Sequence, residues 1–190
     1  MKNLVQIGTN MSYDDFARIV KGLGNENINQ LILVEPIESC NTNIKTCYEG
    51  FDYVLENKVI NVDETKTTET FYISKYNWLS SLKESHIEKH GTDEIPVKVS
   101  VNAITLNNLF KKHNLKNIDI LFIDSEGMDD ELVKSIDFNL YDIDTIYYEH
   151  LHIDNDSFIQ FLNQNNYEVN LAGFFDGFTS VAVKKDNLKK

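Results

Sequence analysis

Five short runs of β-branched and aromatic residues punctuate the chain: LVQI (4–7), LILVEP (31–36), KVINV (58–62), IDILFID (118–124) and TIYYEH (145–150). Runs of this length and composition form strands covered on both faces. Helical periods lie between them. Phe16, Ile19, Val20 and Leu23 recur at i, i+3, i+4 and i+7, with Ser12 as the expected N-cap and Gly22 or Gly24 as the stop. The same period returns through Leu106, Leu109, Phe110 and His113, and through Phe158, Phe161, Leu162 and Asn165. Strand and helix in strict alternation predict an α/β fold built on a doubly wound, mostly parallel sheet.

The stretch from 64 to 104 departs from that rhythm. TETFYIS and KVSVNAI alternate in the β manner around a polar segment, SSLKESHIEKHGTDE, so this region reads as a β insertion beside the sheet. After the last helix, YEVNLAGF and TSVAVKK flank FDG and read as an antiparallel hairpin at a sheet edge. With 190 residues and no composition break, the expectation is a single domain over 1–190.

A net charge of −12 argues against partners held through phosphate charge, so neither nucleic acid nor an anionic membrane is expected. MKNLVQIGTN is too short in apolar residues for a signal core, and no later run approaches the roughly 20 needed for a membrane span, which points to a cytoplasmic protein. Cys40 and Cys47 read as buried thiols, because at that helical spacing they stand about 10 Å apart, beyond disulfide reach.

In doubly wound sheets ligands bind beyond the carboxyl ends of the strands. Here those ends read IGTN, Glu35-Pro36, Asn61-Val62-Asp63, Asp124-Ser125-Glu126-Gly127 and Glu149-His150, so all but the first deliver a carboxylate. An acid at the end of strand two, some 20 to 30 residues after a glycine turn, is placed to bond the ribose hydroxyls of a nucleoside cofactor. Glu35 fits that role; the turn itself offers only Gly8, followed by Thr9 and Asn10.

Taken together these segments resemble the FkbM family of S-adenosylmethionine-dependent methyltransferases, which have the Rossmann-like class I methyltransferase fold. VQIGTN is similar to the family's D-x-G-A-N turn, LILVEP to its acidic-proline strand ending, VNAITLNNLF to the segment entering a short helix, and IDILFIDSEGMDDELV to its K-I-D-x-E-G-x-E-x-x-x-L stretch. Gln6, Met11-Ser12 and Phe122 depart from the pattern. The resemblance implies S-adenosylmethionine as cofactor. It places Gly8, Thr9 and Asn10 against the methionine part, Glu35 and Pro36 at the ribose, and Val62 and Asp63 beside the adenine, and it makes Asp124 and Glu126 active-site residues. It also implies methylation of a hydroxyl on a sugar, glycolipid or other small metabolite.

Methyl transfer to a hydroxyl needs an aligned nucleophile and a base. His150, beside Asp124 and Glu126 on the neighbouring strand end, is the candidate base. Asp124, Glu126, Glu149 and His150 also form an oxygen-rich set able to take magnesium or manganese, although a metal-free reaction is the favoured expectation. His86 and His90 in HIEKH read as a surface helix, His152 as a loop residue, and Asp129, Asp130 and Glu131 as acids serving the first turn of a helix. The segment 74–95, with Tyr76 and Trp78, is expected to flank the acceptor site, and a homodimer that covers the cleft is a further option. Two other classes stay open: an inactive relative that binds without catalysing, and a metal-dependent phosphoryl-transfer or hydrolytic enzyme built on Asp124 and Glu126.

Overall fold

The computed structural model describes residues 1–76, 79–89, 95–174 and 177–188. Its main sheet contains β1 (Lys2–Ile7), β2 (Ile28–Val34), β3 (Val54–Glu56), β7 (Asn117–Ile123), β8 (Asp142–Glu149), β9 (Tyr167–Phe174) and β10 (Thr179–Lys184), in the order β3-β2-β1-β7-β8-β10-β9. The pairs from β3 through β8 are parallel. β10 runs antiparallel to both neighbours, so the hairpin inserts its second strand between β8 and the edge strand β9. The order reverses between β1 and β7, and this switch opens a crevice at the carboxyl edge.

Strand alternation divides the core into two layers, since successive side chains point to opposite faces. Val5, Ile7, Leu121 and Ile123 pack on one face against α4 (Leu106–Lys112), α5 (Asp129–Lys134) and α6 (Asn155–Gln164). Leu4, Leu33 and Phe122 pack on the other against α1 (Asp15–Leu23) and α2 (Asn41–Cys47). Cys40 and Cys47 are buried thiols in that second layer, as expected. No helix among the described residues is long and apolar enough to cross a membrane.

Two local expectations are corrected. α1 is capped by Asp14, whose carboxylate accepts the Ala17 amide at 2.9 Å, and Ser12 instead adopts a left-handed turn conformation at φ 61°. KVINV is not the third strand of the main sheet. Val54–Glu56 takes that edge, and β4 (Val59–Asn61) pairs parallel with β6 (Val97–Thr105), which pairs antiparallel with β5 (Thr68–Ile73) to make a separate three-stranded sheet. Two adjacent short strands joined by Asn57-Lys58 left the pattern ambiguous, and β-bonding opposite the insertion captured the more apolar one. The insertion also carries α3 (Glu84–Lys89). Trp78 and His90 lie outside the described residues.

Candidate active site

β1 ends at Ile7, and Gly8 turns the chain at φ +78°. A side chain here is excluded twice over: left-handed backbone favours glycine, and a Cβ would stand 1.8 Å from the Asp124 carbonyl oxygen. The turn's amides are spent within the protein. Gly8 and Thr9 both donate to the Val34 carbonyl at 3.1 Å, and Asn10 donates to Glu35 Oε2 at 2.6 Å. Glu35 Oε1 accepts a second amide, from Ile37, at 2.7 Å. The Glu35 carboxyl is 3% exposed, and burial raises its pKa to about 7 against the opposing pull of those two amides.

Gly8, Asn10, Glu35 and Pro36 form one wall of a cleft of about 660 Å³, open mouth included; Asp124 and Glu126 form the facing wall. Ile37, Val59, Ile60 and Phe71 supply apolar surface. Asp124 opens onto this cleft. The protein crowded around it, and then the charges of Glu126, Asp129 and Glu149, push its pKa well above the usual carboxylate range.

Beyond Asp124 the chain makes a second left-handed turn, with Glu126 at φ +53° and Gly127 at +86°. Insertion residues clasp this turn. Ser81 Oγ donates to the Glu126 carbonyl at 3.2 Å, Lys83 Nζ to the Gly127 carbonyl at 3.1 Å, and His86 Nε2 lies 2.8 Å from Glu126 Oε2. Asp129 organises the turn from beneath. Fully buried, it accepts the amide and hydroxyl of Ser125 at 3.2 and 2.8 Å and the Glu149 amide at 3.0 Å, and burial raises its pKa to about 7. Asp129 thus ties β7 to β8 and is more than a helix-dipole residue.

The expected site residues divide. Gly8, Asn10, Glu35, Pro36, Asp124 and Glu126 meet at the cleft. Thr9 is buried behind it, its hydroxyl on the Val34 carbonyl at 3.3 Å. Val62 and Asp63 are not among the lining residues: Val62 is exposed and the Asp63 carboxylate caps its own turn through the Thr65 amide at 3.0 Å. The end of β4, Val59 and Ile60, lines the cleft in their place. His150 Nδ1 lies 2.8 Å from Ser180 Oγ on β10, and His150 is also not among the lining residues.

His86 was expected on a solvated helix. It is 5% exposed and meets Glu126, with its ring T-shaped against His152 at a 4.8 Å centroid separation. No sequence spacing connects residues 86, 126 and 152; the one available sign was a histidine inside a segment already expected beside the site.

Among curated proteins none matches this chain. Among solved structures, the crystal structure of Methyltransferase FkbM from Methylobacillus flagellatus KT is similar in fold, with a TM-score of 0.56 at 10% identity. The match covers 96% of this chain and 43% of that one, so the chain spans less than half the length of its structural relative. The sequence model of the methyltransferase FkbM domain matches residues 6–169, which take in the Gly8 turn, Glu35, Asp124 and Glu126. The chain belongs to the methyltransferase FkbM domain family.

Proposed function

We propose that the chain is an S-adenosylmethionine-dependent O-methyltransferase acting on a hydroxyl of a sugar, glycolipid or other small metabolite. The observation that carries this reading is how the Gly8–Asn10 turn uses its amides. A dinucleotide cofactor needs free amides or cations for its phosphates. Here the turn's three amides are bonded to Val34 and Glu35, and Lys58 is the one cation among the described lining residues. A nucleoside cofactor without phosphate fits this turn. Glu35 is held rigidly by two amides yet, as a carboxylate with about four lone-pair sites, keeps acceptor capacity for the two ribose hydroxyls. Ile37 and Ile60 offer apolar walls for a base, and the Glu126 carboxylate suits a sulfonium cation.

S-adenosylmethionine supplies the methyl group when bound. The chain's own part is to align the acceptor and take up its proton. Glu126, on the wall facing Glu35 and oriented by His86 at 2.8 Å, is assigned as proton acceptor in preference to His150, which is engaged with Ser180. Thermal unfolding with increasing S-adenosylhomocysteine tests the reading. At about 100 times its dissociation constant a native-state ligand adds about 2.7 kcal/mol, which raises the midpoint by roughly 5–10 °C for a chain of this size. An unchanged midpoint at millimolar ligand rejects it.

A further inference from the structure

We infer that His86, Glu126 and His152 form a binding site for a divalent first-row transition-metal ion, beside the cleft. Their candidate ligand atoms, one from each residue, all lie within 4.8 Å of one another. Atoms bound to one ion at about 2.1 Å stand roughly 3.0–3.4 Å apart. His86 Nε2 and Glu126 Oε2 are already at 2.8 Å, so side-chain rotation of His152 closes the set without moving a strand.

Three features distinguish this cluster from a chance meeting of polar side chains. The donors come from three remote segments: α3 of the insertion, the turn after β7 and the loop after β8. Both imidazoles close over Gly127, where an added Cβ would touch His86 Nδ1 and His152 Cβ at 3.4 Å and whose φ of +86° favours glycine. A reserve ligand is near, since Glu149 Oε1 stands 3.9 Å from His152 Nε2.

Two imidazoles and one carboxylate select the metal class. Magnesium and calcium favour all-oxygen sets, whereas imidazole suits zinc, iron and nickel. Three protein ligands leave coordination positions for water or a substrate oxygen. Because Glu126 also lines the cleft, a hydroxyl reaching the ion from there is acidified by it, its proton passing to solvent, and the Glu126 base is no longer required. The cluster thus restricts acceptors to oxygen donors able to approach a metal. This role in methyl transfer rests on the proposed function; the metal site itself does not.

The test uses tag-free, chelator-treated protein titrated with zinc by calorimetry, with cobalt absorption as a spectroscopic readout. The expected result is one ion bound per chain and a visible cobalt band. His152→Ala and His86→Ala should each weaken zinc by about ten-fold or more, the scale seen even for residues that only support ligands. His113→Gln, on a histidine engaged with Glu56, should leave affinity unchanged. Because His86 is buried, the exposed His152 variant and the cobalt band keep the test valid should His86→Ala fail to fold. Absence of zinc binding at 0.1 mM, or equal binding by the folded His152→Ala variant, overturns the inference. S-adenosylhomocysteine binding measured on the same metal-free protein separates failure of the metal site from failure of the cofactor reading.

Discussion

The two walls of the cleft are built by different means. On the Gly8–Glu35 side every donor is a backbone amide: the Val34 carbonyl receives two, the Glu35 carboxylate receives two more, and these groups sit at or just beyond the ends of the adjacent parallel strands β1 and β2. On the Glu126 side, side chains from an insertion hold a turn: Ser81, Lys83 and His86 each bond across some 40 residues of sequence. Short amide bonds anchored at the ends of paired strands fix position closely. A side-chain clasp can be altered one residue at a time. On the proposed function, the first wall holds the nucleoside and the second faces the acceptor.

The largest effect should come from Gly8→Ala. Its Cβ meets the Asp124 carbonyl in a left-handed conformation, so both walls are pushed apart at their shared seam. Strain and overpacking together predict a loss of about 3–5 kcal/mol, readable as a lower denaturant midpoint. Less than 1 kcal/mol would mean that the seam is looser than its geometry.

Proton linkage sharpens the contrast next. The Glu35 pKa is raised from its usual 4.5 to about 7. Between these values the folded chain keeps a proton that the unfolded chain has released. The associated stability is full below about pH 4.5 and lost by about pH 7, and the change approaches 3 kcal/mol. The midpoint of the unliganded protein should fall across that window. Glu35→Gln should flatten part of the profile, while Asp129, also raised to about 7, and Asp124, raised by burial, preserve the rest.

Lys83→Ala probes the clasp. Its ammonium bonds the Gly127 carbonyl and, at 2.8 Å, the exposed Glu131. The expected cost is about 0.5–1 kcal/mol, with S-adenosylhomocysteine affinity intact, because the cofactor wall does not depend on it. Smallest is Asp63→Ala. With its carboxylate committed to Thr65 at the surface, it should measurably change neither the unfolding midpoint nor cofactor affinity. A marked loss of affinity would restore Asp63 to the adenine pocket.

What could be read from the sequence follows the same division. Strands covered on both faces announce themselves as apolar runs, so β1, β2, β7 and β8 and the carboxylates at their ends were recognisable, and Gly8, Asn10, Glu35, Asp124 and Glu126 do meet. Val54–Glu56 escaped notice because three residues bounded by polar ones carry no period, and KVINV drew the assignment instead. Val62 and Asp63, placed by that assignment, are not among the residues lining the cleft. His86 and Asp129 were invisible for another reason. Their roles depend on tertiary contacts of the insertion and of β8, and locally they read as a surface histidine and a helix-dipole acid.

On the proposed function, the Gly8–Glu35 wall holds a phosphate-free nucleoside cofactor through Glu35. Calorimetric titration of S-adenosylhomocysteine into wild-type and Glu35→Gln protein at pH 8, where Glu35 is ionised, tests it most directly. One site is predicted in the wild type, weakened about 10- to 100-fold by the substitution through loss of charged hydrogen bonds, with no heat from a dinucleotide. Equal affinity in the two proteins, or binding of the dinucleotide instead, would contradict it.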